Sequence, residues 1–220
     1  MIEPRSRLRV ARGLAKSERQ ASVKAFETLR GRGNPKTPPV LTSDGHGGIR
    51  EALVEVYGQL PKRRPGPGRP PKLKQAAADW LYLQLVKKRS PTGRLLSIER
   101  RMIYGTEAEL LTRMGGHTSY VERTHLTSRH RNSRLVRKSL GYSKTVRMLS
   151  ASSKFEDAIY NWCRPVKTLR QRIESPTPAS TKPFQRRWRE RSPAMAAGLT
   201  GHIWTLRELL YFVVVPTVKS

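Results

Sequence analysis

The sequence has 220 residues and a formal net charge of +28, from 44 Lys and Arg against 16 Asp and Glu. An excess of this size repels itself in a compact fold, so a polyanion such as nucleic acid is the partner that the composition favours. Cys163 is the only cysteine, which excludes an intramolecular disulfide and a cysteine-based zinc site.

The sequence predicts no membrane role. The longest apolar run, Leu209 to Val215, is far shorter than the ~20 residues that cross a bilayer. The first ten residues, MIEPRSRLRV, have no apolar region typical of a signal peptide. We therefore expect a cytoplasmic, nucleoid-associated protein.

The opening of the chain has the pattern of an α/β unit. Residues 7–14 partly alternate basic and apolar side chains, which predicts an exposed or edge strand, and residues 17–31 have helical spacing. A short buried strand over 38–44 then ends at an Asp-Gly turn. Residues 49–58 follow as a helix with Gly58 as its C-cap. The order is strand, helix, strand, helix.

The rest of the chain is predicted to contain a hairpin and then helices. Residues 59–75 form a Pro/Gly/basic linker that cannot contribute to a core. Residues 81–89 and 94–105 alternate as strands that pair around Ser90–Gly93. Helical patterns follow near 106–113, 119–140 and 144–163, then a loop over 171–193 and a short helix near 203–212.

Asp44 is the first candidate for chemistry, because aspartate is scarce and occurs only at positions 44, 79 and 157. It ends a predicted buried strand, where active sites of α/β sheets gather. The alternative is an ordinary Asp-Gly turn.

Glu122 is the second candidate. A helix over 119–140 would align Glu122 with Leu126, Arg129, Ser133, Val136 and Leu140, at ~100° per residue. A cationic side would adjoin it, containing Arg123, His130, Arg131, Arg134, Arg137 and Lys138. Glu122 is then either a metal ligand beside a DNA track or a carboxylate that forms ion pairs with its neighbours.

Four segments, in order, resemble DDE-type insertion-sequence transposases of the RNase H-like/integrase superfamily. LTSDGHGGIREALVEVYG (41–58) resembles the segment around the family's second catalytic aspartate, and SYVERTHLTSRHRNSRLVRKSLGYSK (119–144) resembles its glutamate helix. IYNWCRPVKTLR (159–170) and RSPAMAAGLTGHIWTLRELL (191–210) are similar to its C-terminal motifs. The resemblance covers nearly the whole chain.

The resemblance implies an incomplete RNase H-like α/β core over 1–145, without its leading strand, and a helical extension over 146–220. It implies DNA transposition by phosphoryl transfer, with Asp44 and Glu122 as catalytic ligands of Mg²⁺ or Mn²⁺. The DNA partners would be transposon ends and target, and a homo-oligomer is compatible with the family. The DNA-tracking residues would be Arg123, Arg129, His130, Arg131, Arg134, Arg137 and Lys138.

The sequence also departs from the family pattern. No aspartate precedes Asp44, so the family's first catalytic aspartate, in Asp-Glu-x-Trp, has no match. Val166 replaces a histidine of the third motif, and Gly201 replaces an aspartate of the fourth. We expect a truncated or split transposase that binds DNA and does not cut it alone.

Two other functions remain open at the level of sequence. PGRPPK (67–72) resembles an AT-hook, in which Gly-Arg-Pro lies in a narrow minor groove, and would suit a non-enzymatic DNA-binding protein. The same residues also suit a simple basic linker. An RNA-binding structural protein is favoured by charge alone.

Overall fold

The computed structural model describes residues 1–61, 72–113, 118–173 and 187–212, and the fold is mixed α/β. The helices are α1 (Glu18–Arg32), α2 (Gly47–Tyr57), α3 (Glu107–Arg113), α4 (Ser119–Arg131), α5 (Val146–Ala158), α6 (Pro193–Ala196) and α7 (Leu206–Tyr211). The strands are β1 (Leu41–Asp44), β2 (Tyr82–Arg89), β3 (Leu95–Tyr104), β4 (Gln171–Arg172) and β5 (Trp188–Arg189). A π-helical turn, Ile159–Cys163, continues α5.

The chain divides into two compact units. The sheet unit comprises Met1 and Val10–His125, and the helical unit comprises Ile2–Arg9 and Leu126–Ser220. These units are groups of residues that contact one another closely and need not be domains that fold independently. The domain boundary expected at residue 145 therefore stays a prediction.

The sheet unit is built on β2. Strand β1 pairs with β2 in parallel, and β3 pairs with β2 antiparallel. The β2–β3 hairpin turns where the sequence predicts it: the Gly93 amide donates to the Ser90 carbonyl at 2.9 Å. Gly93 has φ +83°, a conformation that glycine adopts without a Cβ penalty.

Both faces of β2 are covered by apolar side chains. Tyr82 packs with α1 and α2 in a cluster that includes Phe26, Leu53 and Trp80. On the other face, Leu81, Leu83 and Leu85 pack against Leu110 of α3. The two covered faces explain the near-continuous apolar run at the start of this strand.

The helices that flank β1 begin and end as the sequence predicts. Ser17 caps α1, accepting a hydrogen bond from the Gln20 amide, as N-cap serines do. Helix α2 ends at Gly58, whose amide donates to the Val54 carbonyl at 2.8 Å. The helix and hairpin predictions over 17–58 and 81–105 are therefore confirmed. The strand before the Asp-Gly turn is also present, but it begins at Leu41 and is half-buried to exposed, so its predicted burial is wrong.

The two ends of the predicted basic linker, residues 59 and 75, are hydrogen-bonded to each other. Gln59 and Gln75 form an antiparallel bridge, with amide-to-carbonyl distances of 3.0 and 2.8 Å. The AT-hook-like segment at 67–72 lies outside the described residues except for Lys72.

The predicted edge strand over 7–14 is wrong. Residues 2–9 form a short turn closed by a single Ile2–Arg9 bridge, and Arg7 has φ 61°. The main-chain groups of Arg9 bond to a side chain instead of a neighbouring strand: the Arg9 amide donates to Asn161 Oδ1, and Asn161 Nδ2 donates to the Arg9 carbonyl, both at 3.0 Å.

The helix predicted over 119–140 is too long, since α4 ends at Arg131. The side chain of Asn132 accepts from the Arg134 amide at 3.1 Å and starts a 3₁₀ turn, Ser133–Leu135. Lys138 then has φ 59°, which a continuing α-helix does not allow. Asparagine side chains compete with helix in this way.

The C-terminal part of the helical unit contains short elements. Strands β4 and β5 form a two-residue ladder within the segment predicted as loop. Helix α7 begins with a capping box between Thr205 and Glu208. In the part of the chain that the structure describes, no helix has both the length and the apolar composition needed to cross a membrane.

We predict that Asn161→Ala destabilises the fold by about 1–3 kcal/mol, because it removes both partners of the Arg9 main chain. The measurement is urea denaturation followed by circular dichroism. Asn34→Ala is the matched control, since Asn34 is exposed and bonds only to the nearby amides of Lys36 and Thr37. Equal losses for the two variants would contradict the role assigned to Asn161.

Candidate functional site

Asp44 lies at the carboxyl end of β1 with its side chain open to solvent. No hydrogen bond or ion pair to its carboxylate occurs among the described residues. Gly45 follows against β2, where an added Cβ would meet Val86 Cγ2 at 3.0 Å. The turn after Asp44 is therefore tight, and glycine at position 45 permits it.

Glu122 lies in the first turn of α4, where a negative charge interacts favourably with the helix dipole. Its Oε1 accepts a hydrogen bond from Lys87 Nζ of β2. This bond to Lys87 holds the pKa of Glu122 below its ordinary value, outweighing the slight desolvation of the carboxyl. The carboxylate is an ion-pair partner, as one of the two sequence readings expects, although the cation comes from a strand.

The register of the sheet places Asp44 and Lys87 near one another. Asp44 is the Cα partner of Leu85, which precedes Lys87 by two residues on β2. Given ~4.8 Å between strands and ~3.3 Å per residue along a strand, the two Cα atoms are roughly 8 Å apart. Paired residues of neighbouring strands share a face, so Asp44, Leu85 and Lys87 occupy the same face of the sheet.

On the opposite face of β1 and β2, polar side chains are hydrogen-bonded to one another. Ser43 Oγ lies 2.8 Å from the hydroxyl of Tyr82, and Gln84 Nε2 donates to the same hydroxyl at 2.9 Å. Burial raises the pKa of Tyr82, and the nearby charge of Asp44 adds to this effect. Tyr82 therefore stays protonated and acts as a structural link.

The candidate metal ligands of the sheet unit are two carboxylates, those of Asp44 and Glu122. Among the described residues, no group of three or more His, Cys, Asp or Glu side chains is arranged to hold a metal ion. Carboxylate oxygens are the donors that Mg²⁺ and Mn²⁺ favour, so Asp44 and Glu122 have suitable chemistry. Lys87 competes directly with any cation for Glu122. That the two carboxylates share a metal stays a prediction.

The predicted DNA-binding residues do not all lie on one helix. Arg123, Arg129, His130 and Arg131 belong to α4, whereas Arg134, Arg137 and Lys138 follow its end. The continuous cationic helix face expected from the sequence is therefore wrong. The break at Asn132 is its physical cause.

Six of these seven cations nevertheless have no carboxylate partner among the described residues. The cations that form no ion pair within the described part of the chain are Arg129, His130, Arg131, Arg134, Arg137 and Lys138. Other surface cations do pair: Arg100 contacts Glu107 at 3.1 Å, and Lys88 contacts Glu99 at 3.0 Å. The segment 129–138 carries positive charge that no carboxylate offsets directly.

Sequence reasoning missed a buried ionic cluster in the helical unit. Arg9 is 5% exposed, and its Nη1 contacts Glu156 at 2.5 Å and Asp157 at 2.9 Å. Its guanidinium also lies 3.9 Å from the centre of the Tyr160 ring. The adjacent acidic pair in an otherwise basic half of the chain was the one available signal. Breaking such a pair leaves a charge buried without its partner, so its role is structural.

Lys87 was also missed, and its strand pattern gave no indication of a partner. Lysine is mostly a surface residue, so its presence where a strand emerges into solvent is not a distinctive signal in the sequence. Only the tertiary structure of the sheet unit identifies it as the residue that contacts Glu122.

No protein-family model, no curated protein and no solved structure matches this chain. The transposase resemblance stated above therefore rests on its four motifs.

We predict that Lys87→Met raises the pKa of Glu122 toward its ordinary value, because the variant removes the ammonium group and keeps the apolar stem. Pairing lowers the folded-state pKa, so its stabilising effect is present at neutral pH and is lost as the pH falls through that pKa. The carboxyl signal of Glu122, followed by carbon-13 NMR across acidic pH, measures the shift.

Lys88→Met is the matched control for this titration. Lys88 pairs with Glu99, and its hydrogen bond lowers the pKa of Glu99. The control should shift Glu99 and leave Glu122 unchanged. A Glu122 titration that is the same in Lys87→Met and the unmodified protein would refute the assigned ion pair.

Proposed function

We propose that this chain is a DNA-binding protein of the DDE transposase type, with an RNase H-like arrangement in its sheet unit, that binds DNA and does not cut it by itself. The observation that carries the proposal is the Lys87–Glu122 ion pair beside Asp44. The two residues that the family motifs single out belong to the same unit of the chain.

The geometry of the sheet unit supports the RNase H-like part of the proposal. A strand with a terminal aspartate, parallel to its neighbour, and a later helix with a glutamate over the same face are the elements that the resemblance requires. Asp44 is open to solvent, so a metal with its substrate could reach it.

The chemistry proposed for the family is an in-line phosphoryl transfer assisted by two metal ions about 4 Å apart. Each ion needs several oxygen ligands, and its charge must be offset by carboxylates. Asp44 and Glu122 would hold the metal, and the ions would activate the attacking oxygen and stabilise the leaving oxygen. In this chain, Glu122 is neutralised by Lys87, so cleavage is disfavoured.

DNA binding is supported by charge and by its distribution. The net charge is +28, and the cations over 129–138 form no ion pairs among the described residues. Arginine and lysine contacts to phosphates position a duplex and do not read its sequence. Binding of this kind is proposed to be sequence-tolerant and strongly dependent on salt.

We predict that Lys87→Met increases the affinity of the protein for Mn²⁺, because the competing ammonium is removed from Glu122. Mn²⁺ is paramagnetic, so the free ion can be measured by electron paramagnetic resonance as protein is added. Adding Asp44→Ala to Lys87→Met should abolish the gain, and Lys88→Met should show none. A gain that survives the Asp44 substitution would show that the two carboxylates do not share a metal.

We predict that the unmodified protein binds duplex DNA and that its affinity falls by ~0.9 log units per log unit of salt for each phosphate neutralised. Arg137→Gln should weaken binding to all sequences alike and reduce this slope by about one phosphate. Arg100→Gln is the control, since Arg100 is already paired with Glu107. A salt-independent affinity, or equal effects of the two substitutions, would count against the DNA-binding role.

The same preparation should not nick a supercoiled plasmid in Mg²⁺ or Mn²⁺. Nicking that both Asp44→Ala and Glu122→Ala abolish would show that the site is complete and the non-cutting proposal wrong. Nicking that neither substitution affects would indicate a contaminating nuclease.

A further inference from the structure

The helical unit contains a cavity of about 470 Å³ to which the proposed function assigns no role, although most of its lining residues lie within the second and third quoted motifs. Its walls come from the end of α4, the 3₁₀ turn after it, α5 and the π-helical turn. The volume lies within the ~300–1,000 Å³ range of small-molecule sites.

Three arginines line this cavity: Arg131 at the end of α4, Arg134 in the 3₁₀ turn and Arg164 just after the π-helical turn. None of them forms an ion pair with any residue that the structure describes. Guanidinium groups are planar forks of N–H donors that match the oxygens of a phosphate. Three of them around one cavity favour an anionic ligand.

Asn132 adds a neutral donor to the same wall. Its Oδ1 accepts from the Arg134 amide at 3.1 Å and from Ser152 Oγ at 2.9 Å, which fixes the orientation of the side-chain amide. Nδ2 is therefore the remaining donor, and it is buried without an acceptor among the described residues. A buried donor of this kind is costly unless an oxygen is brought to it.

The cavity also has an apolar wall, which a bare phosphate would not need. Phe155 is 46% exposed although it lines the cavity, and Ile159 and Tyr160 lie beside it. The Tyr160 ring already contacts the guanidinium of Arg9 at 3.9 Å. An exposed phenyl ring next to cationic donors suits a planar base that stacks while its phosphate is held nearby.

One carboxylate also lines the cavity, that of Glu156. Its negative charge is already balanced by Arg9, whose Nη1 lies 2.5 Å from Oε2, and the same oxygen accepts a hydrogen bond from Ser128 Oγ at 3.1 Å. With the charge of Glu156 balanced by Arg9, the three arginines give the cavity lining a net positive charge.

We propose that this cavity binds one nucleoside monophosphate unit, either free or as the unpaired terminal unit of a DNA strand. Arg131, Arg134 and Arg164 hold the phosphate, and Phe155 stacks on the base. The inference rests on the proposed DNA-binding function and adds a site to it that accepts a nucleotide outside a duplex.

The test measures binding of fluorescently labelled duplexes and their displacement by dAMP or inorganic phosphate. One duplex is blunt, and the other has a short unpaired overhang with a terminal phosphate. The unmodified protein should bind the overhang more tightly, and dAMP should reduce that preference more strongly than inorganic phosphate does.

Two substitutions address the site and keep the phosphate-binding arginines. Asn132→Asp keeps the oxygen that accepts from Arg134 but replaces the buried amide donor with a carboxylate oxygen. Phe155→Ala removes the stacking ring. Each should weaken dAMP binding roughly tenfold while blunt-duplex binding is unchanged. Arg164→Gln should do the same, whereas Arg147→Gln, an exposed arginine of α5 outside the cavity, should have no effect.

The outcomes separate this inference from the proposed function. Absence of blunt-duplex binding would defeat the proposed function. Intact blunt-duplex binding without displacement by dAMP, or displacement that is equal in all variants, would overturn the nucleotide site alone. Equal potency of inorganic phosphate and dAMP would overturn the stacking role of Phe155. Circular dichroism of each variant checks that it has folded.

Discussion

The burial of β2 on both faces is the constraint on which the sheet unit depends. Its first four residues are buried, and its last four emerge progressively into solvent. The side chains of the buried half pack against α1 and α2 on one face of the sheet and against α3 on the other. Tyr82 and Leu83, which point to opposite faces, therefore have no exposed surface. The emerging half presents Lys87 at the boundary between core and water, where a long side chain can keep its apolar stem buried and its ammonium near Glu122.

Electrostatic pairing explains which charges of this basic chain are free to bind a partner. Several exposed carboxylates are met by nearby cations, as Glu99 is by Lys88 and Arg101, whereas that of Asp44 has no such partner among the described residues. Exposed pairs of this kind contribute little to stability, since solvent screens them. Other cations have no carboxylate partner among the described residues, and Arg129, Arg137 and Lys138 belong to that set.

The two units use acidic residues differently. In the sheet unit, Asp44 and Glu122 lie at the surface and are exposed to solvent. In the helical unit, Glu156 and Asp157 serve to neutralise a buried arginine that comes from the start of the chain. The Asn161 side chain completes this attachment by bonding both main-chain groups of Arg9. The N-terminal turn is thus held by side chains from residues about 150 positions away, as the separation of 152 between Arg9 and Asn161 shows.

The sequence alone determined the elements whose signals are local. Capping by Ser17 and Gly58, the turn at Gly93 and the apolar periodicity of α2 depend on a few neighbouring residues, so their helices and strands are where the patterns predict them. Asp44 at a strand end and Glu122 on a helix are also properties of local pattern. Tertiary structure decided the rest, because it depends on partners far along the chain. Asn132 ended α4 with its side chain held by Ser152, Asn161 replaced a strand partner for Arg9, and Lys87 met Glu122 across thirty-five positions. No window of sequence contains both members of such a pair, and a long-range contact forms only when the packed core brings them together.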